Sequence, residues 1–168
     1  MKKLIILCGI SGSGKSTFIV KNGHLFGATV KVVSRDIIRF SLVKEDEEYF
    51  SKEKEVWKKF ISEIKDGISK NEVTVADATH LNEASRLKLI NALGESLKGV
   101  DIIPIVLNIG YELAAARNEN RVGTRAYVPP TIIRNMSNNF TIPTFEEYNY
   151  KTIYIYEPNK KIIIRERG

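Results

Sequence analysis

Glycines, a lysine and a hydroxyl recur in Gly9-Ile10-Ser11-Gly12-Ser13-Gly14-Lys15-Ser16 at a spacing suited to gripping a polyphosphate. Glycines at 9, 12 and 14 let the backbone curl until consecutive N–H groups point inward at a phosphate, and a helix beginning near Lys15 adds the positive end of its dipole. Lys15 then supplies a mobile charge for the β- and γ-phosphates, while the Ser16 hydroxyl completes the shell of a magnesium ion. The run fills every fixed position of a P-loop and makes a nucleoside triphosphate the expected ligand. A Gly/Ser-rich turn that matches by chance in a chain of this size is a roughly one-in-a-few-hundred event.

Other candidate groups fall at strand ends. Asp36 follows a short β-branched run, where a carboxylate can accept the proton of an attacking hydroxyl. Arg39, three residues on, shares its face if a helix starts there and can hold an anionic group on the acceptor. The alternative, that Arg35 and Asp36 merely cap that helix, carries equal weight on spacing alone. Asp77 ends another apolar run in the position of a Walker-B acid and is expected to meet magnesium directly or through water. Ala78 follows it where hydrolytic motor ATPases carry glutamate, and no Asn-Lys-x-Asp motif is present, so phosphoryl transfer to a bound acceptor fits better than a motor or a GTPase switch. His80 is a lone loop histidine and is read as structural.

Arg117, Arg121 and Arg125 recur every fourth residue. On one unbroken helix they would form a solvated face; Gly123 is expected to break the helix and leave Arg121 and Arg125 on a loop able to close over phosphates. Guanidinium groups there offset charge on the transferred phosphoryl, an effect of about 10³-fold or more in rate.

The frame for these groups reads as alternating strands and helices. Leu4 to Cys8 is a buried parallel strand, and Ser16 to Lys21 a helix ended by Asn22-Gly23. Ala28 to Ser34 is a second strand. Residues 44 to 72 are densely charged, yet Trp57, Phe60, Ile61, Ile64 and Ile68 follow helical spacing, so the charges are assigned to a solvated face without function. Glu72 to Asp77 is a third strand, Asn82 caps a helix running to Leu97, and Val100 to Asn108 is a fourth strand. Pro104 within it argues for an irregularity or an edge-like position. Tyr111 to Asn120 and a stretch opened by Pro129-Pro130 are helical, the latter with Ile133, Met136 and Phe140 on one face. Two terminal strands, Thr152 to Tyr156 and Ile162 to Ile164, suggest a hairpin. The expected fold is an α/β three-layer sandwich on a mainly parallel sheet, with ligand at the strands' C-terminal edge.

The 168 residues suit a single domain, 1–168. A net charge of +6 favours polyanionic partners but is weak evidence alone. The single cysteine, Cys8, is read as a small core hydrophobe, consistent with a cytoplasmic protein. Met1-Lys2-Lys3 before an apolar run superficially suggests an export signal. The run is short for that, Leu7 stands where a small residue belongs, and cleavage would destroy the glycine loop. No stretch approaches a membrane span.

Together, the glycine loop with Ser16-Thr17, Ser34-Arg35-Asp36 with Arg39, Asp77-Ala78-Thr79-His80-Leu81-Asn82 and Arg121-x-Gly-Thr-Arg125-Ala-Tyr-Val-Pro129 resemble the polynucleotide 5′-hydroxyl kinase family over residues up to about 142. The resemblance implies an adenylate-kinase-like P-loop fold with a helical lid. Gly9, Gly12, Ser13, Gly14, Lys15, Ser16 and Thr17 would bind ATP, Ser16 and Asp77 would hold Mg2+, and Asp36 would be the general base. Arg39 would bind the 3′-phosphate of a DNA or RNA acceptor. Arg121 would be the lid arginine, with Arg125 carried beside it because Tyr127 adds one residue before Val128-Pro129. No Asp-x-Asp phosphatase motif is present, so 3′-end processing or ligation is expected from a separate partner, and a homo-oligomer is a further expectation. The alternatives are a kinase of a small acceptor (nucleoside, nucleotide, sugar or antibiotic), a kinase of a hydroxyl on a modified DNA base, and a nucleotide-binding adaptor without transfer activity.

Overall fold

The computed structural model describes residues 1–168. Six strands, β1 (Lys2–Cys8), β2 (Val30–Ser34), β3 (Val73–Asp77), β4 (Val100–Leu107), β5 (Thr152–Tyr156) and β6 (Ile162–Glu166), form one sheet in the order β2-β3-β1-β4-β5-β6. All neighbours are parallel except β5 and β6, which form the expected hairpin. β1 is apolar without a break because both its faces are covered. Leu4, Ile6 and Cys8 enter one core with Phe60, Ile64 and Leu89, while Ile5 and Leu7 enter a second with Phe18 and Ile105.

The helices are α1 (Lys15–Asn22), α2 (Arg35–Leu42), α3 (Glu53–Lys70), α4 (Glu83–Leu93), α5 (Tyr111–Glu119) and α6 (Pro130–Asn139). α3 and α4 lay their apolar stripes on one face of the sheet and α1 covers the other, which makes the three layers. Asn82 caps α4 through a reciprocal pair of bonds with Ser85, satisfying two N–H groups that the helix start leaves open.

Several boundaries differ from the sequence expectation. β2 begins at Val30, because Ala28 and Thr29 are drawn aside: the Ala28 N–H donates to the Glu72 carboxylate and the Thr29 hydroxyl accepts from the Glu72 N–H. Residues 44–52 form turns rather than the start of α3. α4 stops at Leu93, since Gly94 takes a positive φ and leads into a short 3₁₀ turn, Gly94–Leu97. β4 is an interior strand despite Pro104. The proline pairs with Ile6 of β1, and β5 joins β4 only from Ile105 onward, so the missing N–H falls where β4 has a neighbour on one side only.

Registers level the active edge. Ser34 lies beside Asp77, and Ala76 beside Ile6, so β2, β3 and β1 end together and release Asp36, Asp77 and the glycine loop at one rim. No helix is long and apolar enough to cross a membrane.

Candidate active site

The rim opens into a cleft of about 610 Å³ lined by Gly12, Lys15, Ser16, Asp36, Asp77 and Arg121, among others. The loop between β1 and α1 is shaped by its glycines. Gly12 and Gly14 have φ of +85° and +93°, the left-handed region that side-chain-bearing residues avoid. A Cβ on Gly12 would also stand 2.6 Å from the Ala114 carbonyl oxygen of α5, and one on Gly9 would stand 2.5 Å from Ser13 Oγ. Gly12→Ala is therefore expected to unseat the loop from α5 and lower nucleotide affinity by about tenfold or more, the equivalent of about 1–3 kcal/mol of backbone strain; titration calorimetry with ATP and magnesium checks it.

Not every loop residue faces the cleft. The Gly9 N–H is spent on the Thr79 carbonyl at 2.9 Å and the Ser13 N–H on the Ile10 carbonyl at 3.1 Å. Ser13 Oγ is buried without a hydrogen-bond partner. Thr17 is exposed on α1 and does not line the cleft. Lys15 folds back, donating from Nζ to the carbonyls of Gly9 at 3.0 Å and Ile10 at 3.1 Å. Burial lowers its pKa, against the opposing fields of Asp77 and Asp36.

Asp77 is nearly buried, and burial pushes its pKa up to about 6, with Lys15 pulling it down and Asp36 adding to the rise. Its carboxylate accepts no protein hydrogen bond and faces a cleft that the exposed Ser16 hydroxyl also lines. A desolvated carboxylate and a free hydroxyl lining one cleft fit magnesium, which takes one or two protein oxygens and completes its shell from water and phosphate. No group of three or more acidic, histidine or cysteine side chains suited to an all-protein metal site is present.

Asp36 lies in the first turn of α2. The helix is capped by Ser34, whose Oγ accepts from the Ile37 N–H at 3.3 Å, so neither Arg35 nor Asp36 is needed as its cap. The Asp36 side chain is 66% exposed, with Oδ1 held by Arg39 Nη1 at 2.6 Å and by the Tyr49 hydroxyl at 3.0 Å. Its second oxygen makes no hydrogen bond to the protein. Arg39, expected to face an anion on the acceptor, is instead committed to the protein. Its side chain is only 7% exposed, Nε and Nη2 grip both oxygens of Glu53 at 2.5 and 2.9 Å, and Nη1 serves Asp36 and Tyr49. Burial opposes the Arg39 charge, and the bond to Glu53 with the fields of Tyr49, Glu53 and Asp36 more than reverses that, raising its pKa.

Glu53 and Tyr49 were invisible as site residues because both fall in the charged stretch assigned to solvent. The available signal was Arg39 itself: an arginine at a helix face that turns inward needs a counter-ion, and α3 opens with one. Arg35 also donates to Glu53, at 3.1 Å, and stacks on Trp57 at 5.3 Å. His80 packs inside the fold. It is buried at φ +42°, Nδ1 lies 2.6 Å from the Leu7 carbonyl, and burial lowers its pKa to about 4. A neutral ring therefore donates from Nδ1.

The three arginines separate. Arg121 lines the cleft near Lys15. Arg117, not expected in the site, donates to the carbonyls of Ser13 at 3.2 Å and Gly12 at 3.4 Å. Arg125, expected over phosphates, donates to the carbonyls of Val43 at 2.6 Å and Phe40 at 3.4 Å.

A mostly parallel sheet, a glycine loop leading into a helix and a strand-end acid in one cleft define a kinase-like P-loop NTPase. The chain belongs to the AAA_33 family, described as an AAA domain, whose model matches residues 4–143. Among solved structures, one chain of the Pnkp1/Rnl/Hen1 RNA repair complex is similar over 82% of this chain and 43% of its own, at 25% identity and a TM-score of 0.65. A gluconokinase from Sinorhizobium meliloti 1021 matches at 17% identity over 92% of this chain and 82% of its own, with a TM-score of 0.59. Chaetomium thermophilum Kti12 in complex with ADP-AlF3 matches at 15% identity over 94% and 90%, with a TM-score of 0.66. The last two share the fold. This chain spans less than half of the RNA repair chain it resembles. No curated protein matches the sequence.

Proposed function

We propose that the protein is an ATP-dependent kinase that transfers the γ-phosphate to the 5′-hydroxyl of a DNA or RNA end. The observation that carries this reading is Asp36: one carboxylate oxygen is pinned by Arg39 and Tyr49, and the other is free at the cleft that Lys15 and the glycine loop line. That is the arrangement a general base needs, fixed yet unspent. The net charge of +6, the motif set shared with polynucleotide 5′-hydroxyl kinases and the likeness to a chain of an RNA repair complex favour a nucleic acid end as acceptor.

In this mechanism the acceptor oxygen forms a bond to the γ-phosphorus as the bond to the bridging β,γ-oxygen breaks. ADP departs, and the hydroxyl proton passes to the free oxygen of Asp36. Lys15 leaves the Gly9 and Ile10 carbonyls for the donor phosphates, and Arg121 meets charge on the transferred group. Ser16 and Asp77 would hold magnesium, which neutralises phosphate charge when bound. Arg39 retains one unused Nη2–H for a 3′-phosphate, so most of its work is orienting Asp36. Any 3′-phosphatase or ligase step belongs to other proteins.

The test offers labelled ATP to 5′-hydroxyl DNA and RNA oligonucleotides, nucleosides, nucleoside 3′-phosphates and gluconate. Label on the terminal nucleotide, with KM rising steeply with salt, supports the proposal. Label confined to small acceptors, at internal positions or nowhere overturns it.

A further inference from the structure

Arg117 and Arg125 bracket Arg121 in the sequence and bind two different elements that line the cleft, the glycine loop and α2. Arg117 fastens the end of α5 to the backbone of the glycine loop. Arg125 crosses to α2: its two donors meet the carbonyls of Phe40 and Val43, and its plane stacks on the Phe40 ring at 4.9 Å. Those carbonyls lie at the C-terminal end of α2, where unpaired oxygens and the negative end of the helix dipole both favour a cation. The same helix carries Asp36 in its first turn and is eight residues long, so what holds its end also sets its start.

The link between Arg121 and Arg125 is stiff. The Thr124 N–H and hydroxyl both donate to the Arg121 carbonyl, at 2.9 and 2.7 Å, and Gly123 supplies the positive φ of +85° that closes the turn. The Ala126 N–H then returns to Thr124 Oγ1 at 3.2 Å. Arg121 and Arg125 therefore form one stiff unit, held at the glycine loop by Arg117 and at α2 by Arg125.

We propose that Arg125 is a positioning residue and not a ligand of the donor phosphates. It clamps residues 120–129 to the end of α2, so that Arg121 closing over the donor and Asp36 meeting the acceptor are one movement. Arginine suits this role because its planar fork spans two carbonyls while its face stacks on an aromatic ring, which lysine cannot do. Only the acceptor half of the proposal rests on the kinase reading above.

The test compares R121A, R125A and R125K in the intact protein. Titration with ATP and magnesium should show R121A weakened about tenfold to a hundredfold, the worth of a charge-assisted contact, and both Arg125 variants within about twofold of the parent. With a 5′-hydroxyl oligonucleotide, R125A should lower kcat about tenfold or more at unchanged KM for ATP, because the base is misplaced rather than removed. R125K, which keeps the charge, should share that pattern. Chymotrypsin should cut at Tyr127 faster in both Arg125 variants than in the parent. ATP affinity falling as far in R125A as in R121A overturns the proposal, as does an unchanged rate of cleavage at Tyr127. If the parent phosphorylates no oligonucleotide, the proposed function fails, while ATP titration and proteolysis still decide the role of Arg125.

Discussion

Asp36→Asn is expected to lower the transfer rate by about 10²- to 10⁴-fold, the usual contribution of a positioned general base. The amide retains an oxygen to accept from Arg39 and Tyr49 but offers the substrate a nitrogen with no proton affinity. Since the side chain is two-thirds exposed and Ser34 caps α2, the fold should tolerate the change. ATP affinity should stay within about twofold, because the glycine loop and Lys15 make no hydrogen bond to Asp36. Single-turnover transfer from labelled ATP, read beside an ATP titration, separates the two. A variant that transfers phosphate at the parental rate removes Asp36 from the mechanism.

The largest effect on stability is expected at Arg86. Its side chain is 0% exposed and that of Glu147 2%, and the two form a bidentate pair at 2.7 and 2.8 Å. Tyr150 donates to the same carboxylate at 2.9 Å, and Arg86 Nη1 donates to the carbonyls of His80 and Thr141, both at 3.0 Å. Arg86→Met leaves a buried carboxylate without its cation and should cost about 3–5 kcal/mol in urea denaturation at neutral pH. Removing both charges, as Arg86→Met with Glu147→Leu, should recover most of that loss. Burial by itself would raise the Glu147 pKa, but hydrogen bonds and charge from Arg86 outweigh it and hold the carboxyl below its ordinary value of 4.5. A group depressed on folding stabilises above its unfolded pKa and ceases to do so as pH falls through the folded value. The gap between parent and Arg86→Met should therefore narrow on acidification, since a protonated Glu147 no longer needs its partner.

The sheet was legible because its central strands are buried on both faces and read as apolar or β-branched runs: Leu4 to Cys8 and Val73 to Ala76 announce themselves without tertiary information. The glycine loop was legible for the same local reason, since its backbone conformation dictates glycine at 12 and 14. What escaped were the partners that only the packed chain supplies. Glu53 looks like any other charge in a solvated run until α3 lies against α2 and puts it on Arg39. Arg125 looks like a free lid cation until residues 120–129 cross to Val43. Ser13 shares the motif with Ser16, yet one hydroxyl is buried against Gly9 and the other is open, a distinction set by the curl of the loop and not by residue type.

In the strand order, β3 lies between β1 and β2. The glycine loop and Asp36 therefore hang from strands that never touch, with Asp77 midway between them. Changes in the first turn of α2 and in residues 44–52 can redraw the Asp36 side of the cleft while the loop between β1 and α1 is left alone. On the loop side, Gly12 is wedged against Ala114 and admits no larger side chain. Of the two sides of the cleft, the one carrying the exposed Asp36 side chain is therefore the freer to accept substitutions.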